Sequence, residues 1–302
     1  MQTDEKKQKV TVWKGRPTME GAGVALNRVF GFHEVPRLDP FLLLDAFHSE
    51  NPEDYKRGFP WHPHRGIETI TYILDGDVEH GDSLGNGGII STGDVQWMTA
   101  GSGIIHQEMP KGDGKGRMRG FQLWTNLPSN GKMMDPRYRD VKQNRIPEVK
   151  TANGATVKVI SGEVEGVRGP VREIVTDPVY LDVSLPAGTA FAHKIKDGYT
   201  AFACVVEGDG TFDSVESEPE GGFDPEQLGG AAGVMDTLVL FRRSGIAVAR
   251  AGKKPVRFLL VSGKPIGEPV AWYGPIVMNT QDELQKAFEE YRDGNFVKAG
   301  RG

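Results

Sequence analysis

The chain has 302 residues, of which 38% are hydrophobic and 25% charged, and its formal net charge is −5. At roughly 150 residues per domain the length allows two domains, and with no dense Lys/Arg stripe the acidic balance argues against direct nucleic-acid binding, which leaves a basic footprint. The single cysteine, Cys204, excludes an intramolecular disulfide and suits a reducing compartment.

The first ten residues, MQTDEKKQKV, are polar, unlike the apolar core of a signal peptide. No stretch approaches the roughly 20 apolar residues that cross a bilayer. A cytoplasmic protein with no membrane association is expected. Forty glycines and nineteen prolines punctuate the chain, which favours many short strands over a few long helices.

In chain order, IETITYIL (67–74) alternates and is rich in β-branched residues, which predicts a strand. DGD turns the chain, GDSLGNGG (81–88) is dense with turn signals, and GIIS, DVQWMTA and GFQLWTNL (120–127) read as further strands. Short strands between glycine-rich turns predict an all-β sandwich or barrel over 58–127. The polar, proline-flanked segment 128–147 reads as a linker. Beyond it ATVKVISG, PVYLDVSL, YTAFACVVEG, TLVLFRR, GIAVAR and VRFLLVSG predict a second β domain. Residues 213–233, acidic and glycine-rich, read as a surface loop. TQDELQKAFEEYRDG predicts a helix over 280–293, with Thr280 and Glu283 as a capping box and Gly294 as its stop. The domain boundary falls at 138/139, with the helix in the second domain.

A weak internal repeat aligns TYILDGDV (71–78) with ACVVEGDG (203–210). On that register His62 and His64 fall opposite Lys194 and Lys196. Setting TAGSGIIHQE against RAGKKPVRFL places His106 and Glu108 opposite Arg257 and Leu259. The second copy then keeps the strands and lacks the histidines.

The chemistry concentrates in WHPHRG (61–66) and GSGIIHQEMP (101–110). Residues two apart on a strand share a face, so His62 and His64 can point at one site, and so can His106 and Glu108. A lone His-x-His pair among seven histidines is a weak signal. If the two stretches pair in one barrel, three imidazoles and a carboxylate converge, a set that suits Fe(II) or Mn(II) and leaves positions open on an octahedral ion. The alternative is four hydrogen-bonded side chains without a metal. His80 reads as a hydrogen-bonded or solvent-facing residue, and His33, His48 and His193 stand apart from the site. Trp61, Trp97, Trp124 and Met98 read as core, with one or two lining a pocket mouth, and Cys204 as a buried, inert thiol.

The stretch HPHRGIETITYILDGDVEHGDSLGNGG followed by GDVQWMTAGSGIIHQEMP resembles the pirins, members of the cupin superfamily. PRLDPFLLLDAF (36–47), GFQLWTNLP (120–128) and WYGPIVMNT (272–280) extend the resemblance over nearly the whole chain. It implies a bicupin of two antiparallel, jelly-roll-like β-barrels packed face to face, with one metal in the N-terminal barrel. The implied metal ligands are His62, His64, His106 and Glu108, with Fe(II) favoured over Mn, Ni or Cu. Many cupins also use the glutamate shortly after His-x-His, here Glu68. In this chain it is expected instead to hold an imidazole in place.

Two functions follow from the resemblance. One is a dioxygenase of flavonols such as quercetin, working on a small aromatic substrate and dioxygen, with Glu108 as base for the substrate's 3-hydroxyl and carbon monoxide released on ring opening. The other is an iron-containing redox-sensing regulator, akin to a transcriptional cofactor, acting through a protein partner. The enzyme is favoured because the ligand set leaves coordination positions open. A monomer is expected.

Overall fold

The structure, a computed structural model, describes residues 10–35, 37–217 and 230–298. It is built of antiparallel strands with one α-helix near the C-terminus among the described residues. The chain forms two compact units. One comprises Arg16–Arg145 with Ile266–Gly302, and the other Met1–Gly15 with Ile146–Pro265. Each chain end therefore belongs with the sequence-distant unit, and a single cut at 138/139 misplaces both ends. The helix Gln281–Arg292 belongs with the histidine-bearing unit, not with the second domain. Thr280 caps it, and the reciprocal bonds with Glu283 are both present. Its buried residues Leu284 and Ala287 pack on the hairpin of strands Ala271–Tyr273 and Ile276–Met278.

Besides that hairpin, the first unit contains two larger sheets among the described residues. In the seven-stranded sheet Ile67–Asp75 lies between Val95–Thr99 and Met118–Asn126, and Phe41–Ser49 and Val24–Phe30 follow. The four-stranded sheet runs Phe59–His64, Ile104–Pro110, Val78–Asp82, Gly87–Ile90. Val24, Ile73 and Met118 of the first sheet share a cluster with Val78 and Ile90 of the second, so the sheets bury their inner faces on one another. The segment 128–147 is more than a linker. Arg137–Val141 pairs with Val95–Thr99, and Lys132, 1% exposed, donates to Gly66 O, Asn126 Oδ1 and Val277 O at 3.0, 2.7 and 3.1 Å. Its polarity reads as solvated in sequence because two of those acceptors, Gly66 and Val277, come from distant segments.

Among the described residues the second unit has a nine-stranded sheet around a core of Val, Leu, Ala and Phe side chains, and a separate small hairpin of Glu163–Val164 with Val167–Arg168. Two long strands, Thr200–Val215 and Gly245–Gly263, run through it. The acidic-Gly-Asp motif at 207–209 is thus a bulge within a continuous strand, not a turn between two. Register shifts flank it, and Gly208 has φ +76. Of the expected loop 213–233, residues 213–215 and 231–233 are strand, and 218–229 lie outside the described residues. Cys204, on Thr200–Val215, is buried, and burial pushes its thiol far up.

The second unit also corrects the internal repeat. In the first unit His62 pairs with His106 across Phe59–His64 and Ile104–Pro110. The corresponding strand pair in the second is Ala190–Ile195 with Gly245–Gly263, where His193 pairs with Ala247 and Ile195 with Gly245. Phe191, Ile195, Ala247 and Ala249 belong to the core, so His193 shares the inward face and exposed Lys194 points out. The sequence alignment is one residue out of step, which exchanges the two faces of a strand. His193 and Ala247 hold the places of His62 and His106, and Arg257 pairs elsewhere, with Ser184 and Glu207.

Candidate metal centre

The histidines reach one place through strand pairing. On Ile104–Pro110 burial alternates strictly, with Ile104, His106, Glu108 and Pro110 inward. His106 then lies opposite His62 on one neighbouring strand and Asp82 on the other. Gly66, at φ +76, turns the chain directly after His64 and Arg65 into the next strand. Arg65 anchors that turn. Its guanidinium is buried, donates to Ser102 O and Phe296 O at 2.7 and 2.8 Å, pairs with Glu290 at 2.8 Å, and lies 4.3 Å from the centre of the Phe296 ring.

One nitrogen from each of His62, His64 and His106 lies within 4.8 Å of the others. The ring centroids are 4.8 Å apart for His62–His64, 4.4 Å for His62–His106 and 5.0 Å for His64–His106. His62 Nδ1 is 2.8 Å from Pro60 O and His64 Nδ1 is 3.0 Å from Pro275 O. A ring nitrogen that close to a carbonyl oxygen carries the proton, so in the neutral rings both Nε2 atoms present lone pairs. Those Nε2 atoms face each other at 3.1 Å. Two lone pairs at that distance repel unless a cation lies between them, and two ligands at right angles on an ion with bonds of about 2.1 Å stand about 3 Å apart. Burial, reinforced by the neighbouring imidazoles, holds His64 and His106 well below the usual histidine range. Both are then neutral, the state that metal ligation needs. Both nitrogens of fully buried His106 also lack a hydrogen-bond partner, a costly arrangement without a further group. The three residues fit a metal ion.

Glu108 is inward and 3% exposed but is not part of the three-histidine group. Its carboxylate accepts from Thr71 Oγ1 at 2.9 Å and from Gln122 Nε2 at 2.8 Å. Trp124 Nε1 donates to Gln122 Oε1 at 3.1 Å, which fixes the amide with its NH2 toward Glu108. Glu68 does not hold an imidazole. It accepts from Thr99 Oγ1 at 2.6 Å and Thr125 Oγ1 at 3.4 Å, and burial raises its carboxyl above the usual range. His80 is neither solvent-facing nor hydrogen-bonded: its side chain is fully buried, and neither ring nitrogen has a hydrogen-bond partner among the described residues.

A cavity of about 760 Å³ opens onto His62 and His64. Phe32, Trp61, Trp124, Trp272 and Tyr273 supply aromatic wall, and the Arg28–Asp45 ion pair (2.8 Å) supplies a polar edge. Trp97 and Met98 are core, as the sequence implies, whereas Trp61 is 52% exposed at the cavity mouth. Sequence reading misses Gln122, Thr71 and the walls from 272–275. Gln122 carries a weak signal as a polar residue within an apolar strand. Pro275, 211 residues from His64, carries none.

The family model for Pirin matches residues 23–125, and that for the Pirin C-terminal cupin domain matches 180–297. A pirin-like protein of Caulobacter vibrioides is 44% identical over 94% of this chain and 96% of that protein. Human Pirin is 38% identical over 92% of this chain and 90% of that protein. The crystal structure of a quercetin 2,3-dioxygenase from Acinetobacter baumannii superposes with a TM-score of 0.82 at 29% identity, covering 96% of this chain and 99% of that one. The chain, with its two cupin domains and a three-histidine group that can hold a metal, belongs to the pirin family.

Proposed function

We propose that this protein is a metal-dependent dioxygenase of flavonols such as quercetin, with Fe(II) held by His62, His64 and His106 and with Glu108 as the acidic member of the site. The observation that carries this reading is the aromatic-walled cavity, about 760 Å³, that ends on His62 and His64. That volume falls within the range of small-molecule sites, and its walls suit a planar aromatic molecule. Trp124 stands edge-on to His64 with centroids 5.0 Å apart, so a ring stacked on the tryptophan reaches the histidines. The likeness to the Acinetobacter quercetin 2,3-dioxygenase supports the same substrate class.

When bound, the ion supplies Lewis-acid stabilisation of a substrate oxyanion and a place for dioxygen beside it. The chain's own residues do the rest. His64 and His106 are buried at the inner end of the site. The Arg28–Asp45 pair offers both a donor and an acceptor to hydroxyl groups on the substrate rim. Glu108 is the base for the substrate hydroxyl. Each of its oxygens accepts one hydrogen bond and keeps a lone pair free, and a side-chain rotation that gives up Gln122, which lines the cavity, brings it to the substrate.

The test is aerobic incubation of the Fe(II)-loaded protein with quercetin, following flavonol absorbance and carbon monoxide. Metal-free protein and His62→Ala serve as controls. Turnover that needs the metal and disappears in the variant is the expected result. Metal-loaded protein that leaves quercetin unchanged would overturn the enzymatic reading and favour a redox-sensing regulator.

A further inference from the structure

The three clustered histidines differ in how their rings are held. His62 and His64 each place Nδ1 against a backbone carbonyl, whereas His106 has no hydrogen-bond partner on either nitrogen among the described residues. A metal-ligating histidine almost always donates its other N–H to a carboxylate, a carbonyl or water, which fixes both the tautomer and the ring plane. His106 lacks that donation within the protein, and a second buried histidine without hydrogen bonds lies beside it. The His80 ring centroid is 5.5 Å from that of His106. His80 stands opposite Glu108 on the adjacent strand, one inward pair along from Asp82–His106.

His80 is itself well oriented. Tyr138 stacks on it with centroids 5.0 Å apart and planes 15° from parallel. Asp82 Oδ2 is 3.7 Å from His80 Nε2. Asp82 cannot swing away, because its carboxylate accepts from the backbone N–H groups of Leu84 and Asn86 and from Asn86 Nδ2. A carboxylate beside Nε2 favours the proton on that nitrogen and leaves Nδ1 as an acceptor. The geometry therefore offers His106 an acceptor backed by a fixed negative charge.

Building on the metal-site reading, we propose that His80 is a positioning residue for His106. His80 Nδ1 accepts the His106 N–H that points away from the cluster, through one bridging water, and Asp82 fixes the tautomer of His80. Among the described residues no nitrogen of either ring has a hydrogen-bond partner, so the two rings do not bond directly, and one nitrogen from each gives a bridging water two polar partners. His106 is thereby held with its lone pair toward His62 and His64 before any ion arrives.

The test uses the full-length, metal-free, 15N-labelled protein. Long-range 1H–15N correlations read the tautomer of His106, and titration with Co2+ against a chelator reads affinity and the visible d–d bands. His80→Phe keeps the stacking on Tyr138 and removes the acceptor, and His80→Gln restores a polar partner. Wild-type His106 is expected as a single neutral tautomer. In His80→Phe it becomes a mixture, Co2+ binds about 10- to 100-fold more weakly and the d–d bands shift. In His80→Gln the single tautomer and most of the affinity return. Mixed tautomers in the wild type, or a His80→Phe protein with unchanged tautomer and unchanged affinity, would overturn the proposal. Should His80→Phe fail to fold, the wild-type and His80→Gln spectra decide the matter. A wild type that binds no Co2+ would instead sink the metal-site reading, while the tautomer of His106 still reports on His80.

Discussion

Gly66→Ala is the substitution whose consequences the structure defines most sharply. Gly66 has φ +76 and follows the histidine pair directly. Its N–H donates to Gly101 O at 2.9 Å, and its carbonyl accepts from Lys132 Nζ at 3.0 Å. A Cβ here would lie 1.9 Å from Val277 O, where side chains do not approach closer than 3.0 Å, so something must move by 3.0 − 1.9, or 1.1 Å. The backbone of 275–277 is tied to the site, since Val277 N donates to Arg65 O and Pro275 O accepts from His64. Functional constellations tolerate displacements of only about 0.5 Å. The left-handed conformation costs alanine about 1–2 kcal/mol, and each buried group left unpaired adds about 1–3 kcal/mol. The expected loss is about 3–5 kcal/mol in metal-free protein, together with weaker metal binding. Urea denaturation measures the first and chelator competition the second. Gly85→Ala is the control: it has φ +86 but nothing within 4 Å of the added Cβ, so it carries the conformational cost alone. Equal destabilisation by the two substitutions would refute the reasoning.

Lys132→Met removes the ammonium that three buried oxygens share, leaving Gly66 O and Asn126 Oδ1 only the Leu127 N–H between them, and is expected to cost about 2–4 kcal/mol in urea denaturation, whereas a variant as stable as the wild type would contradict the buried network. Burial pushes His193 down to about 4, against an unfolded value of about 6.5. Between those values the unfolded chain binds a proton that the folded chain does not, so this contribution to stability is complete above about pH 6.5 and is lost as pH falls toward 4; an NMR titration midpoint for His193 near 6.5 would refute it. Glu108→Gln is expected to lower quercetin turnover by about 100-fold or more with a smaller change in iron retention, and equal loss of both would count against Glu108 as the base.

The shared face of His62 with His64 and of His106 with Glu108 was readable because a strand's period of two is local, and the same periodicity revealed most strands. The pirin resemblance turned two weak pairs into one site. What was not readable depends on partners far along the chain. Lys132 looks like a linker lysine until Gly66 and Val277 come together around it. His80 reads as hydrogen-bonded or solvent-facing because nothing near it in sequence shows that Tyr138 covers it. Glu68 shares parity with the ligands, yet its position opposite Thr99 turns it to hydroxyl partners rather than to the histidines. The reading of Lys194 and Lys196 as counterparts of the histidines failed for a different reason. A one-residue error in aligning strands is invisible in apolar repeats and reverses every face. The domain boundary failed because contiguity in sequence is a poor guide when both chain ends fold back onto the other unit.

Anaerobic titration of the metal-free chain with Fe2+, counting ions bound per chain in the wild type, His62→Ala and His106→Ala, tests the central claim most directly. One ion per wild-type chain, and loss of binding in both variants with far-UV circular dichroism unchanged, is the predicted result. A wild type that binds no iron, or variants that bind it as well as the wild type, would contradict the assignment of the three-histidine group as the metal site.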